Sequence, residues 1–201
     1  LGWRKWGRGH EESTIANSVD EERASRVIEL VRPDNADTNF VLHQEDITNW
    51  ANKEQRILSM DAKLDGRLVI FVNVSTANGW RYLTYEPHNR NSFLSENYAH
   101  ISVPSYLNNG QWQTFERDLQ ADLESVEPGN AISQINYLII AGNGRVDNIM
   151  LLDDLPARHR GVISGTITSS QGNPLPGASV SVFGVQTMTD SQGRYTTEPL
   201  P

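Results

Sequence analysis

Trp80, Tyr82, Phe71 and Asn73 crowd into one stretch, residues 67–86, among small hydroxyl-bearing side chains. Aromatic rings offer flat apolar surface, and neighbouring amides and hydroxyls can bond to the rim of whatever lies on it, so this set suits a polar, flat ligand such as a sugar ring. Arg81 and His100 are further candidate hydrogen-bonding groups. The same aromatics would serve equally well to pack beneath a loop or against a helix expected at 118–126. A second chemistry is open to Asp147, Asp153 and Asp154, because hard oxygen ligands near the end of a domain could hold a structural Ca²⁺, with Asp147 the leading ligand. No EF-hand pattern accompanies them, and solvent-facing carboxylates are the competing reading.

Catalytic signatures are missing. The chain has no cysteine, no Gly-x-Ser-x-Gly elbow, no His-Glu-x-x-His and no glycine-rich phosphate loop. His10, His43, His88, His100 and His159 are scattered without metal-ligand spacing. Carboxylates are plentiful enough for a glycosidase or lyase, but nothing in the sequence pairs them, so an enzyme ranks third among the readings.

The element that must position these residues is a β-hairpin. Asn78-Gly79 lies between two runs rich in β-branched and aromatic residues, and Asn-Gly suits the two positive-φ positions of a tight turn. With those two as the loop, Ser75 faces Tyr82 and Val72 faces Tyr85. Leu68, Ile70, Val72, Val74, Leu83 and Tyr85 then share the core side, and Phe71, Asn73, Ser75, Trp80, Tyr82 and Thr84 share the other. Around it the pattern predicts strands at 25–31, 38–43 and 55–64, the last with Leu58, Met60, Ala62 and Leu64 inward. Further strands are predicted at 99–103 and 112–117, then two closing strands at 133–141 and 145–152 joined at Gly142-Asn143-Gly144. One helix is predicted at 118–126, with Leu119, Leu123 and Val126 on one face, Asp118 as its cap and Pro128-Gly129 as its stop. The charged segments after Trp3 and Trp6 read as loops. Many short strands with one helix predict an all-β fold, an antiparallel sandwich of jelly-roll type.

At 201 residues and a net charge of −8, the chain is long enough for a sizeable core and too acidic for nucleic acid to be its natural partner. No apolar run approaches the roughly 20 residues of a membrane span. The opening residues lack the apolar centre of a signal peptide, so the chain reads as a piece of something longer. Three segments are expected: a first domain at 1–154, a linker at 155–161 and a second, partial domain at 162–201.

Two resemblances follow from particular residues. Gly165-Thr166, the turn from Gly172 to Ala178, Val180-Ser181-Val182 and the run from Thr189 to Tyr195 resemble the carboxypeptidase regulatory-like family of small prealbumin-type sandwiches. That resemblance implies a non-catalytic spacer or adhesion module, extracellular or periplasmic. It covers about half of such a domain, so Val162, Ile163, Ile167, Val180, Val182, Phe183 and Tyr195 are expected to need completion. Downstream sequence, packing on the first domain or a neighbouring chain's strand would supply it, the last giving a homo-oligomer by β-strand addition. The first segment resembles carbohydrate-binding-module-like jelly rolls of secreted bacterial proteins, on the order of residues 25–30, then Trp112-Gln113-Thr114-Phe115 with Arg117-Asp118-Leu119, then residues 144–149. This implies polysaccharide binding in a secreted or cell-surface protein, with a structural or adhesive subunit as the alternative.

Overall fold

The computed structural model describes residues 2–34, 36–43, 49–88, 90–154, 162–182 and 185–197. The expected linker at 155–161 lies outside the described residues, as do Asn35 and Phe183. The chain divides into two compact units, Leu1–Asp154 and Leu155–Pro201.

Among the described residues, ten strands and one α-helix build the first unit: β1 (Gly2–Trp6), β2 (Thr14–Asp20), β3 (Ser25–Val31), β4 (Asn39–His43), β5 (Ile57–Thr76), β6 (Gly79–Pro87), β7 (Phe93–Ser95), β8 (Tyr98–Val103), β9 (Gln113–Asp118), α1 (Leu119–Val126) and β10 (Ile132–Leu152). Two strands dominate. β5 runs for 20 residues and β10 for 21, where the sequence pattern predicted a break in each. Extended chain of that length would span about 66 Å, against a diameter of roughly 40 Å for a domain of this size. Both strands must therefore fold over, and the pairing shows where. The C-terminal half of β5 pairs with β6 and its N-terminal half with β9, while β10 pairs with β4 through Leu138–Ile140 and with β3 through Gly144–Val146. The result is an all-β sandwich. One layer reads β1-β4-β10-β5-β6-β8-β7; the other half of the same two strands carries β3, with β2 beyond it, and β9. Strands that pass from one layer to the other at bends and bulges are a known way to close a sandwich corner.

The bend falls where β10 carries Gly142 and Gly144. Gly144 has φ +137°, and a Cβ there would lie 2.1 Å from the Lys63 carbonyl oxygen, so no other residue fits as β10 crosses β5. Along β5 the even-numbered apolar residues Leu58, Met60, Ala62, Leu64, Leu68, Ile70, Val72 and Val74 are all buried in one core cluster, as the alternation predicted. The helix closes one end. Leu119 and Leu123 are fully buried, and the Asp118 carboxylate accepts the Ala121 N–H at 3.0 Å as the expected cap. Asp122 faces inward, accepting from the Tyr85 hydroxyl at 2.8 Å and from Arg117 Nε at 2.8 Å.

Two further features differ from the sequence reading. The charged segments 9–12 and 21–23 are turns, as expected, but the residues before and between them form β1, paired with β4, and β2, paired with β3, which the pattern did not predict; neither strand alternates cleanly, because β1 and β2 lie at the ends of their layers and bury little. The hairpin closes two residues away from the expected register: Ser75 pairs with Trp80 and Val72 with Leu83, so the loop is Ala77-Asn78. Of the Asn78-Gly79 pair only Gly79 takes positive φ, at +98°, and the Thr76 hydroxyl donates to the Gly79 carbonyl at 2.6 Å and accepts the Asn78 N–H at 3.2 Å. Side-chain facing repeats every two residues, so this slip leaves every face assignment intact.

In the second unit β11 (Ser164–Thr166) pairs with β14 (Arg194–Thr196), and β12 (Ser179–Val182) with β13 (Val185–Met188). Gly165 lies opposite Tyr195, whose ring occupies the space a Cβ would take, 2.9 Å away. Asp190 accepts the N–H groups of Gln192 and Arg194 at 2.8 and 2.9 Å, closing the turn before β14.

Candidate functional site

The strand register alone assembles a face on the outside of the first layer. Trp80 and Tyr82 project from β6 beside Ser75 and Asn73 of β5, Tyr98 of β8 lies next to Tyr82, and Phe93 of β7 lies next to His100. On the other side of β5, Asn73 faces Tyr137 and Phe71 faces Ile139, and Ile139 faces Val41 of β4. Tyr82 is the hub of these rings. It packs edge-on against Trp80 at 5.5 Å, Phe71 at 5.9 Å and Tyr137 at 6.3 Å, and stacks on Tyr98 at 5.4 Å. Its hydroxyl meets that of Tyr137 at 2.9 Å. Burial first, and then that hydroxyl contact, push the Tyr82 phenol above its ordinary range, so it stays neutral.

Exposure separates the rings that could meet a ligand from those that hold them. Trp80 is 48% exposed and Tyr98 37%, whereas Tyr82 and Phe71 are half-buried among their neighbours. Tyr82 therefore supports the face more than it offers a surface of its own, which revises the expectation that its ring is free. Asn73 is also more enclosed than expected: its Oδ1 accepts from Asn136 Nδ2 at 2.8 Å, Asn136 also donates to the Ser75 hydroxyl at 3.2 Å, and Gln134 Nε2 donates to Asn136 Oδ1 at 2.7 Å. This chain of amides ends beside Trp80 through Ser75. His100 stacks on Phe93 at 4.6 Å and is bonded through Nδ1 to Glu86 Oε1 at 2.8 Å.

Arg81 does not join this face. It sits opposite Val74, on the inner side of β6, and is 8% exposed. Its guanidinium is bidentate to Glu127, with Nε to Oε2 and Nη2 to Oε1 both at 2.9 Å. Successive residues of a strand point to opposite sides, so Arg81 cannot share the face of Trp80 and Tyr82.

Tyr98, Phe93, Tyr137 and Trp6 were missed by the sequence reading. Tyr98 precedes the predicted strand by one residue. Tyr137 is hidden by a bulge at Asn136, which interrupts the alternation between Ile135 and Tyr137. Trp6 lies in the unrecognised β1. Beside Tyr137, a pocket of about 400 Å³ is walled by Trp6, Val41, Tyr137 and Ile139, with Arg4, Lys5, His43 and Asn49 also lining it.

Asp147 lies on the other layer, opposite Asp61 of β5. Arg23 reaches between the two, 2.9 Å from Asp61 Oδ2 and 3.7 Å from Asp147 Oδ2, and stacks over Trp112 with 4.6 Å to the ring centre. Asn148 and Thr114 donate to Asp61, and Asp147 Oδ1 accepts the Asn148 N–H at 2.9 Å. Among the described residues no group of three or more His, Asp or Glu side chains is placed to share a metal ion. No helix among the described residues is long and apolar enough to cross a membrane.

Comparison with curated proteins gave no match. Residues 162–201 match the carboxypeptidase regulatory-like domain.

Proposed function

We propose that the first unit is a non-catalytic carbohydrate-binding module of jelly-roll type, acting in a secreted or cell-surface protein, and that the second unit is a spacer. The observation that carries this reading is the band of aromatic rings on one outer sheet face, with Trp80 and Tyr98 exposed and a row of ordered amides alongside. Exposed rings on a rigid sheet present apolar area at low entropic cost, and the buried amides of Asn73 and Asn136, bonded to each other and to Ser75, stiffen the sheet behind them. The core is complete without those two rings.

The test is titration of the whole chain with soluble polysaccharides (a mixed-linkage β-glucan, an alginate and a galactomannan), followed by Trp80→Ala and Tyr98→Ala. Each substitution is expected to weaken binding at least 10-fold and to leave stability within about 0.5–1 kcal/mol of the unaltered chain. Tyr82→Ala, by contrast, is expected to lower stability by several kcal/mol, as aromatic truncations in packed surroundings do. Unchanged affinity in both Trp80→Ala and Tyr98→Ala would remove the reading.

A second reading rests on the exposed apolar side chains of the second unit, Val162, Ile163, Leu175 and Met188. In it the chain is an adhesive or structural subunit that associates with copies of itself by β-strand addition. Oligomers on sizing together with no polysaccharide binding would favour it.

A further inference from the structure

Arg81 occupies a position where an apolar residue would be cheaper. It faces Val74, which is fully buried, on a strand whose inner neighbours Leu83 and Tyr85 are also fully buried. Taking a guanidinium and a carboxylate out of water costs more than filling the same volume with hydrocarbon, so such a pair is weak evidence for a stabilising role. Its value lies in where the five donors go. Besides the two bonds to Glu127, Arg81 Nη1 donates to the carbonyls of Asn78 at 3.2 Å and Trp80 at 2.9 Å, and approaches Asn97 Oδ1 at 3.4 Å. Glu127 in turn accepts from Asn78 Nδ2 at 2.9 Å and Asn130 Nδ2 at 2.8 Å, while its N–H caps α1 on the Leu123 carbonyl at 2.8 Å. One guanidinium therefore joins the β5–β6 turn, the turn between β7 and β8, and the end of α1. Trp80 is adjacent to Arg81 in sequence and Tyr98 is adjacent to Asn97. The Tyr82 N–H donates to the Asn97 carbonyl at 2.8 Å, tying the same two turns a second time.

From this geometry we propose that Arg81, acting through Glu127 and Asn97, is the positioning residue of the ring face, fixing Trp80 and Tyr98 relative to one another from the far side of the strand. The inference rests on the carbohydrate reading for its consequence, and on geometry alone for the lock. A planar, bidentate group is required: a lysine in its place would contact Glu127 at a single point and could not reach both turns. Fixing the rings before ligand arrives removes their ordering cost from binding.

The experiment uses the full chain with Arg81→Met, which keeps the volume, and Glu127→Gln, which keeps the shape and lies at a partly exposed position. Residue-resolved amide hydrogen exchange and titration with the same three polysaccharides are the readouts. In both variants the Tyr82 amide is expected to exchange at least 10-fold faster while the Val72 and Leu138 amides keep their protection, and affinity is expected to fall 5- to 20-fold. Unchanged exchange at Tyr82 in both variants would overturn the lock, whatever the titrations give. Faster exchange with undiminished affinity, in a protein whose Trp80→Ala variant has lost affinity, would overturn the positioning role. Full affinity in Trp80→Ala counts against the carbohydrate reading itself, and the exchange arm then still decides the lock.

Discussion

Glu127 is held ionised by the groups around it. The Arg81 bonds, opposed by partial burial and assisted by Asn78 and Asn130, lower its carboxyl from the ordinary 4.5 to about 2. The folded protein therefore binds this proton more weakly than the unfolded chain does. The stabilisation is complete above about pH 4.5 and is lost as the pH falls toward 2. Asp61 is lowered as well, its burial outweighed by the bonds from Asn148, Thr114 and Arg23, so acid acts on more than one carboxylate. The informative measurement is the difference between urea-unfolding curves of the unaltered chain and of Glu127→Gln at a series of pH values. That difference is expected to be largest above pH 4.5 and to shrink toward zero near pH 2. A gap independent of pH would mean that the charge of Glu127 has no part in the clamp.

At the scale of elements, the sandwich depends on two strands that are each long enough to serve both layers. The crossing of β10 over β5 leaves no room at Gly144, where a Cβ would meet the Lys63 carbonyl at 2.1 Å and the Leu64 Cα at 2.8 Å. Gly66, at the matching bend of β5, has φ +64° with nothing within 4 Å of a Cβ. Gly144→Ala is therefore expected to destabilise by more than about 1 kcal/mol, since backbone must move, and by more than Gly66→Ala, which meets conformational strain alone. Chemical denaturation of the two variants makes the comparison, and equal midpoints would show that the crossing is looser than its geometry indicates.

For the whole molecule, the core cluster runs from Leu30 to Val146 and lies entirely within the first unit. A chain of about 150 residues buries some 70% of the surface it exposes when unfolded, enough to fold alone. A chain ending at Asp154 is expected to unfold in a single cooperative transition by both near- and far-UV circular dichroism. Loss of the near-UV signal ahead of the far-UV signal would show that the first unit draws on residues beyond 154 for its packing.

The sequence by itself determined which side of each strand is which. Alternation in β5 and β6 placed Leu58 to Val74 and Leu83 with Tyr85 inward, and a two-residue slip of the hairpin could not disturb that, because facing has a period of two. Arg81 was nonetheless offered to the ring face; the structure puts it on the inner side with Leu83, the side that alternation along β6 requires. The helix and its cap at Asp118 were equally local, set by spacing and by one carboxylate reaching three residues ahead. Only the tertiary structure decided which residues become neighbours across strands. It made Tyr82 a hub instead of a free surface, brought Tyr98 and Tyr137 to it from distant strands, and revealed that residues 57–76 and 132–152 are single strands folded over. These outcomes depend on pairings between residues tens of positions apart, and on a bulge at Asn136 that resets the parity, so no local pattern carries them.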